Sequence, residues 1–266
     1  MSAEPPEALA LALPWVLERL DADRPRPLVL GLNGPQGAGK STLAAALVQA
    51  LAARGRVAVA LSIDDLYWPR AQQVALAAAH PGDRCLEHRG YPGTHDVALG
   101  ISILNNLISN HSVHLPVYDK SAAGGRGDRA PASAWPLAEG PRDLVLLEGW
   151  MLGFRPVADP PPALRTVNGL LAAYGAWNAR LDAMIGLSAP DLPTIVAWRI
   201  DAERARRARG APGLSDEEAR DYIERFLPAY ETWGPGLLAD PPVNDWLHIP
   251  LDARRAPTAQ SRRTQG

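Results

Sequence analysis

Leu28-Val29-Leu30-Gly31-Leu32-Asn33-Gly34-Pro35-Gln36-Gly37-Ala38-Gly39-Lys40-Ser41-Thr42 is the stretch on which the fold turns. Residues 28–32 form an apolar run of strand length. From Gly34 the chain satisfies G-x-x-x-x-G-K-[S/T], after a strand and before a helix, the context this pattern needs. The glycines let successive backbone N–H groups turn inward around phosphate oxygens. The amino end of the following helix adds partial positive charge. The Lys40 ammonium can reach the outer phosphates of a nucleoside triphosphate, and the Ser41 hydroxyl can ligate Mg²⁺. Gly34, Gln36, Gly37, Ala38, Gly39, Lys40, Ser41 and Thr42 are therefore assigned to nucleotide binding. The loop alone does not say what is phosphorylated.

Outward from this loop, strand and helix patterns alternate. Leu43, Leu47 and Leu51 mark one face of a helix that Gly55 ends. Residues 57–63 read as a second strand closed by Asp64 and Asp65. A helix is expected near 70–79, a polar loop over 80–93, and a helix carrying Val97, Ile101, Leu104 and Ile108 on one face. Residues 114–118 and 144–147 read as strands, with a long glycine- and arginine-rich loop between them. Residues 163–186 read as helical and 194–200 as a fifth strand. Ser215-Asp216-Glu217-Glu218 is a capping box, and 246–251 a last strand. Before the loop, residues 5–21 read as a short helix interrupted near Pro14, with a break at 24–27. Strands alternating with helices imply an α/β fold: a mostly parallel five-stranded sheet with helices on both faces, ligands binding beyond the strands' carboxyl ends. Residues 1–252 read as one domain and 253–266 as a disordered tail.

Composition narrows the class. The 266 residues are 47% hydrophobic and 21% charged, which argues against global disorder. A net charge of -2 argues against a nucleic-acid partner held by bulk positive charge. The single cysteine, Cys85, excludes an internal disulfide and a multi-thiolate zinc site. The start is acidic and proline-containing, unlike a secretory signal, and no apolar run approaches the ~20 residues of a membrane span. A reducing, cytoplasmic location without membrane partners is expected. Oligomeric state is not legible. Of 27 basic residues only Lys40 and Lys120 are lysines. A chain that otherwise writes arginine for positive charge keeps its compact, rotatable ammonium groups at two loops.

The strand ends carry the remaining candidates. Asp64 is chosen over Asp65 as the base that takes the proton of an attacking hydroxyl, since adjacent acids point in different directions. Glu148, at the end of an apolar strand, stands where Mg²⁺ or its waters are held. The Tyr118–Arg129 loop, with Lys120, Arg126 and Arg129, can clamp an anionic substrate. Arg199, Arg206 and Arg207 fall in an arginine-rich segment at about 199–213 that reads as a closing lid. The six histidines form no metal constellation. His95 alone is singled out, because Gly93-Thr94-His95-Asp96 opens a helix on the substrate side.

Three segments join the phosphate loop in a resemblance: Ser62-Ile63-Asp64-Asp65-Leu66-Tyr67, Gly90-Tyr91-Pro92-Gly93-Thr94-His95-Asp96 and Glu148-Gly149-Trp150-Met151-Leu152-Gly153-Phe154. With the Tyr118–Arg129 loop they resemble the D-glycerate 3-kinase family, itself similar to uridine kinase, pantothenate kinase and phosphoribulokinase. The similarity runs from about residue 28 to 230. It implies a P-loop kinase fold of strand order 2-3-1-4-5 and ATP- and Mg²⁺-dependent phosphorylation of D-glycerate at its 3-hydroxyl. It also implies a base at Asp64 and a metal-side acid at Glu148. Lys120, Arg126 or Arg129 would hold the glycerate carboxylate, with His95 or Arg89 on its hydroxyls and Asp96 and Tyr118 beside them. The rival kinase substrate is another small hydroxyl metabolite, such as a nucleoside or pantothenate. A guanine-nucleotide switch is disfavoured, since neither lysine lies in an Asn-Lys-x-Asp motif.

Overall fold

The computed structural model describes residues 5–23, 27–210 and 213–263. Its frame is a six-stranded sheet: β1 (Leu28–Asn33), β2 (Ala58–Ser62), β3 (Leu144–Gly149), β4 (Ala183–Ser188), β5 (Asp245–Pro250) and β6 (Ser261–Arg263). The spatial order is β2-β3-β1-β4-β5-β6. The first five are parallel and β6 runs antiparallel to β5. Counted along the chain, the parallel strands stand in the order 2-3-1-4-5.

Every residue of β1 and β3 is buried, as befits parallel strands covered on both sides. The two-residue pleat period sorts their side chains into two cores. Leu28, Leu30, Leu32, Leu144 and Leu146 pack with Trp15 and Val16 of α1 (Leu9–Leu20) and with Leu43, Leu47 and Leu51 of α2 (Lys40–Ala52). Val29, Val145 and Leu147 face the other core, with α4 (Val97–Ile108), α5 (Arg165–Leu171), α6 (Gly175–Asn178), α8 (Asp216–Glu224) and α9 (Leu227–Ala239). α3 (Arg70–Ala79) lays Leu76 against this second core, and α7 (Leu192–Ala208) sends Trp198 to the first core and Ile195, Val196 and Ile200 to the second. No helix among the described residues is long and apolar enough to cross a membrane.

Several expectations need correction. The stretch 194–200, read as the fifth strand, lies inside α7; Asp191 accepts a hydrogen bond from Thr194 N at 2.8 Å and caps it. The missing strand is β4, hidden in what read as one helix over 163–186. Residues 114–118 do not join the sheet. Val113–His114 pairs instead with Leu137–Ala138, and Tyr118–Asp119 with Asp128–Arg129, as two short antiparallel ladders. Pro14 sits within a continuous helix. The tail read as disordered carries β6. Its Arg255 donates to Gly37 O at 2.7 Å and to Trp198 O at 3.2 Å, tying the tail to the phosphate loop. The expectations for residues 1–4, most of the 24–27 break, positions 211–212 of the lid and 264–266 of the tail lie outside the described residues.

Candidate active site

The parallel register brings the candidate groups together. Glu148 stands between Leu32 on β1 and Ser62 on β2, so the phosphate loop, the second-strand acids and the third-strand acid share one sheet edge. They open into a cavity of about 1130 Å³.

The phosphate loop has the shape its glycines permit. Gly37 and Gly39 take φ of +82° and +89°, in the left-handed region. A Cβ on Gly37 would stand 2.7 Å from the Trp198 carbonyl carbon, so glycine is required there twice over. The Lys40 ammonium donates to Pro35 O at 3.1 Å. Burial lowers its pKa, against the opposing pull of Glu148 and Asp64. The Ser41 hydroxyl donates to Glu148 Oε1 at 2.8 Å, and Glu148 is buried. These two oxygens are the donor set at the loop. They suit Mg²⁺, which keeps several waters and takes one or two protein oxygens. Among the described residues no cluster of three or more His, Cys, Asp or Glu offers a metal cage.

Asp64 faces this cavity. Its Oδ2 lies 2.5 Å from the Lys120 ammonium, and its Oδ1 accepts from the Tyr67 hydroxyl at 3.0 Å. Burial by itself would raise the carboxyl, but the Lys120 charge and these hydrogen bonds outweigh it and hold Asp64 far below the usual carboxylate range. Asp65 turns away and accepts from Tyr118 N at 3.1 Å. Burial, reinforced by the Asp64 charge, pushes Asp65 up to about 6.

Other residues singled out from the sequence divide. Gln36, Arg89, Lys120, Arg126, Arg199 and Arg206 line the cavity with Lys40, Ser41, Asp64 and Glu148. Arg129, expected to clamp substrate, spends its guanidinium on Tyr67 O at 2.7 Å, Leu66 O at 3.2 Å and Asp96 at 3.2 Å. Asp96 caps α4 through Leu99 N at 3.0 Å. His95, expected on a substrate hydroxyl, is buried, stacked on Tyr67 at 4.3 Å and bonded through Nδ1 to the Tyr174 hydroxyl at 2.9 Å. Burial drives its pKa down to about 3. The Tyr118 ring packs edge-on against Tyr67. Arg207, expected in the lid, pairs with Asp216 at 2.8 Å. Thus His95, Asp96, Tyr118 and Arg129 support the wall behind the cavity, and Arg207 braces α7 against α8.

The cavity also contains residues to which the sequence assigned no site role: Tyr67, Arg70, Trp150, Tyr222 and Arg225. Tyr222 read only as a buried helix face; the Arg199 guanidinium lies 4.6 Å over its ring. Arg199 pairs with buried Glu203, which also accepts from Leu214 N at 3.0 Å. Tyr230 hydrogen-bonds Gln36 through both the backbone N, at 3.0 Å, and the side-chain oxygen. Tyr67 and Trp150 stand three and two positions from Asp64 and Glu148, whereas Tyr222, Arg225 and Tyr230 come from a distant part of the chain and no residue-level signal marks them. Chemically, the cavity combines an anion cradle, a hard-oxygen pair, a carboxylate and a surplus of cations, the parts that phosphoryl transfer to an anionic acceptor uses.

No protein-family model matches the chain. It is 39% identical over 251 residues to "D-glycerate 3-kinase, chloroplastic" of Arabidopsis thaliana, a match that covers 89% of this chain and 55% of the plant protein. The chain thus spans little more than half the length of that relative. It is 36% identical over 260 residues to "Uncharacterized kinase mug58" of Schizosaccharomyces pombe, covering 91% of this chain and 94% of the yeast protein. The solved structure of D-glycerate 3-kinase from Cryptococcus neoformans var. grubii superposes with a TM-score of 0.87 at 28% identity, covering 96% of this chain and 98% of the fungal one.

Proposed function

The chain belongs to the D-glycerate 3-kinase family, and from that membership we propose that it transfers the γ-phosphoryl group of ATP to the 3-hydroxyl of D-glycerate, giving 3-phosphoglycerate. The observation that carries this reading is that Lys40, Asp64, Lys120 and Arg126 line one cavity. These residues supply a phosphate cradle, a proton acceptor and an anion clamp to one space. The kinase domain takes in the sheet through β6, and the arginine-bearing end of α7 serves as its lid. The one thiol, Cys85, is free and buried, which fits a reducing, cytoplasmic setting.

In this reading backbone N–H groups of the Gly37–Thr42 turn and helix start, with the Lys40 ammonium, hold the triphosphate. Ser41 and Glu148 are the residues that would hold Mg²⁺; bound to them, the ion supplies charge neutralisation at phosphate oxygens. Asp64 Oδ2 takes the proton of the 3-hydroxyl as that oxygen attacks. Lys120 and Arg126 hold the carboxylate, and Arg199 and Arg206 neutralise charge on the transferred group from α7.

The test is acceptor-dependent release of ADP, with D-glycerate, L-glycerate, glycerol, uridine and pantothenate supplied in turn. The product is identified by phosphorus NMR. D-glycerate is expected to give the fastest turnover and 3-phosphoglycerate as product. Faster turnover with uridine or pantothenate would reassign the chain to another small hydroxyl metabolite.

A further inference from the structure

Lys120 and Asp64 stand in a relation that clamping a carboxylate does not require. The Lys120 ammonium lies 2.5 Å from Asp64 Oδ2, and the Tyr67 hydroxyl lies 3.0 Å from Oδ1. Both oxygens of the base are engaged, and Oδ2 is engaged by a full positive charge. A carboxylate held this way is a poor proton acceptor, because taking a proton would break its strongest contact.

The hairpin that carries Lys120 is anchored at its base, and at its tip Arg89 donates to Gly125 O and Arg126 O, so the freedom to move lies in the Lys120 side chain. Arg129 anchors one arm to Tyr67 O and Asp96. At the tip, Ala123, Gly124, Gly125 and Gly127 all take left-handed backbone, and a Cβ on Gly124 or Gly125 would meet nothing within 4 Å. The Lys120 side chain is 47% exposed. Its ammonium is a compact charge on a flexible stem, able to exchange one carboxylate for another, whereas an arginine fork would grip Asp64 at two points. Arg126, on the same hairpin, also lines the cavity and offers an incoming anion a second cation.

Building on the kinase reading above, we propose that Lys120 is a specificity-determining mask on Asp64: it occupies the base until an acceptor bearing its own carboxylate draws the ammonium away. A hydroxy acid thereby uncovers the base that its own hydroxyl needs. The bond from the hydroxyl oxygen to the γ-phosphorus then forms and the bond to the bridging oxygen breaks. The electron pair leaves with ADP, and the hydroxyl proton passes to the freed Oδ2. Water and uncharged alcohols could follow the same balanced step, water giving inorganic phosphate, but they bring nothing to displace Lys120. The mask thus selects anionic acceptors and restrains ATP hydrolysis. The strong downward pull on the Asp64 carboxyl accords with this.

The experiment measures ATP hydrolysis without any acceptor in the wild type, K120M, K120Q and K120M/D64N, at temperatures where each keeps the wild-type circular dichroism. Hydrolysis is expected to rise about fivefold or more in K120M and K120Q and to fall back in K120M/D64N, while the preference for D-glycerate over glycerol shrinks at least about tenfold. Hydrolysis at or below the wild-type rate in both single variants overturns the mask, as does a rise that survives in K120M/D64N. The hydrolysis readout needs no glycerate, so a failure of the acceptor assignment and a failure of the mask are told apart.

Discussion

At Asp64, two donors compete with the reaction for the same pair of oxygens. The local chain explains why this acid and not its neighbour faces the cavity: β2 ends in a short 3₁₀ turn over Ile63–Leu66, with Asp64 N donating to Ser62 Oγ at 3.3 Å. That turn sends Asp64 toward Lys120 and Asp65 toward Tyr118 N. Replacing Asp64 by Asn keeps the shape and removes the proton acceptor. Turnover is expected to fall about a thousandfold while ATP affinity stays within about threefold, read from steady-state kinetics and nucleotide titration. Near-normal turnover would remove Asp64 as the base. Arg129 shows the limit of arguing from residue type. Its guanidinium matches a carboxylate, and it finds one, but the carboxylate is Asp96 in the wall. Lys120 stands nine positions earlier on the same hairpin and reaches the cavity.

Among the elements, α2, α4 and α8 were legible from their apolar spacing, with end signals at α2 and α8. The α8 capping box is present as read, with Glu218 N donating to Ser215 Oγ at 3.2 Å and Ser215 N to Glu218 at 2.7 Å. The exchange of strand and helix over 183–200 has a physical cause. Ala183–Ser188 lacks the β-branched density of a typical buried strand, whereas 194–200 has a Thr-Ile-Val run. Short apolar runs do not declare their period. The deciding signal was the helix start, Asp191 as cap with Pro193 in the first turn. Asp191→Ala is expected to lower the melting temperature by about 2–4 °C, seen by thermal circular dichroism. An unchanged melting temperature would mean that the cap contributes nothing to α7.

Across the whole molecule, burial sets two titrations against each other behind the active site. His95 is held neutral down to about 3. The unfolded chain takes up that proton near 6.5, so acidification through 6.5 toward 3 favours unfolding by up to about 1.4 kcal/mol per pH unit. Asp65 has the opposite sign, with a folded pKa of about 6 against an ordinary 3.8. Between those values the folded state holds the extra proton, so acidification stabilises it with a similar limiting slope. The two contributions offset each other between about pH 4 and 6. Urea midpoints at pH 4.5 and 6.5 check this: Asp65→Asn should lose stability on acidification more steeply than the wild type, and His95→Gln less steeply. Parallel behaviour of all three proteins would show that neither site titrates as stated. By itself the sequence determined the alternation of strands and helices, the phosphate loop and the acids that end β2 and β3, since these depend on short-range periodicity, turn chemistry and residue type. Only the tertiary structure decided which cations enter the cavity, that Lys120 lies on Asp64, and that the tail closes on Gly37. Those pairings join residues 56 to 218 positions apart, and the packing of two cores on one sheet, not any local pattern, brings them within hydrogen-bonding reach.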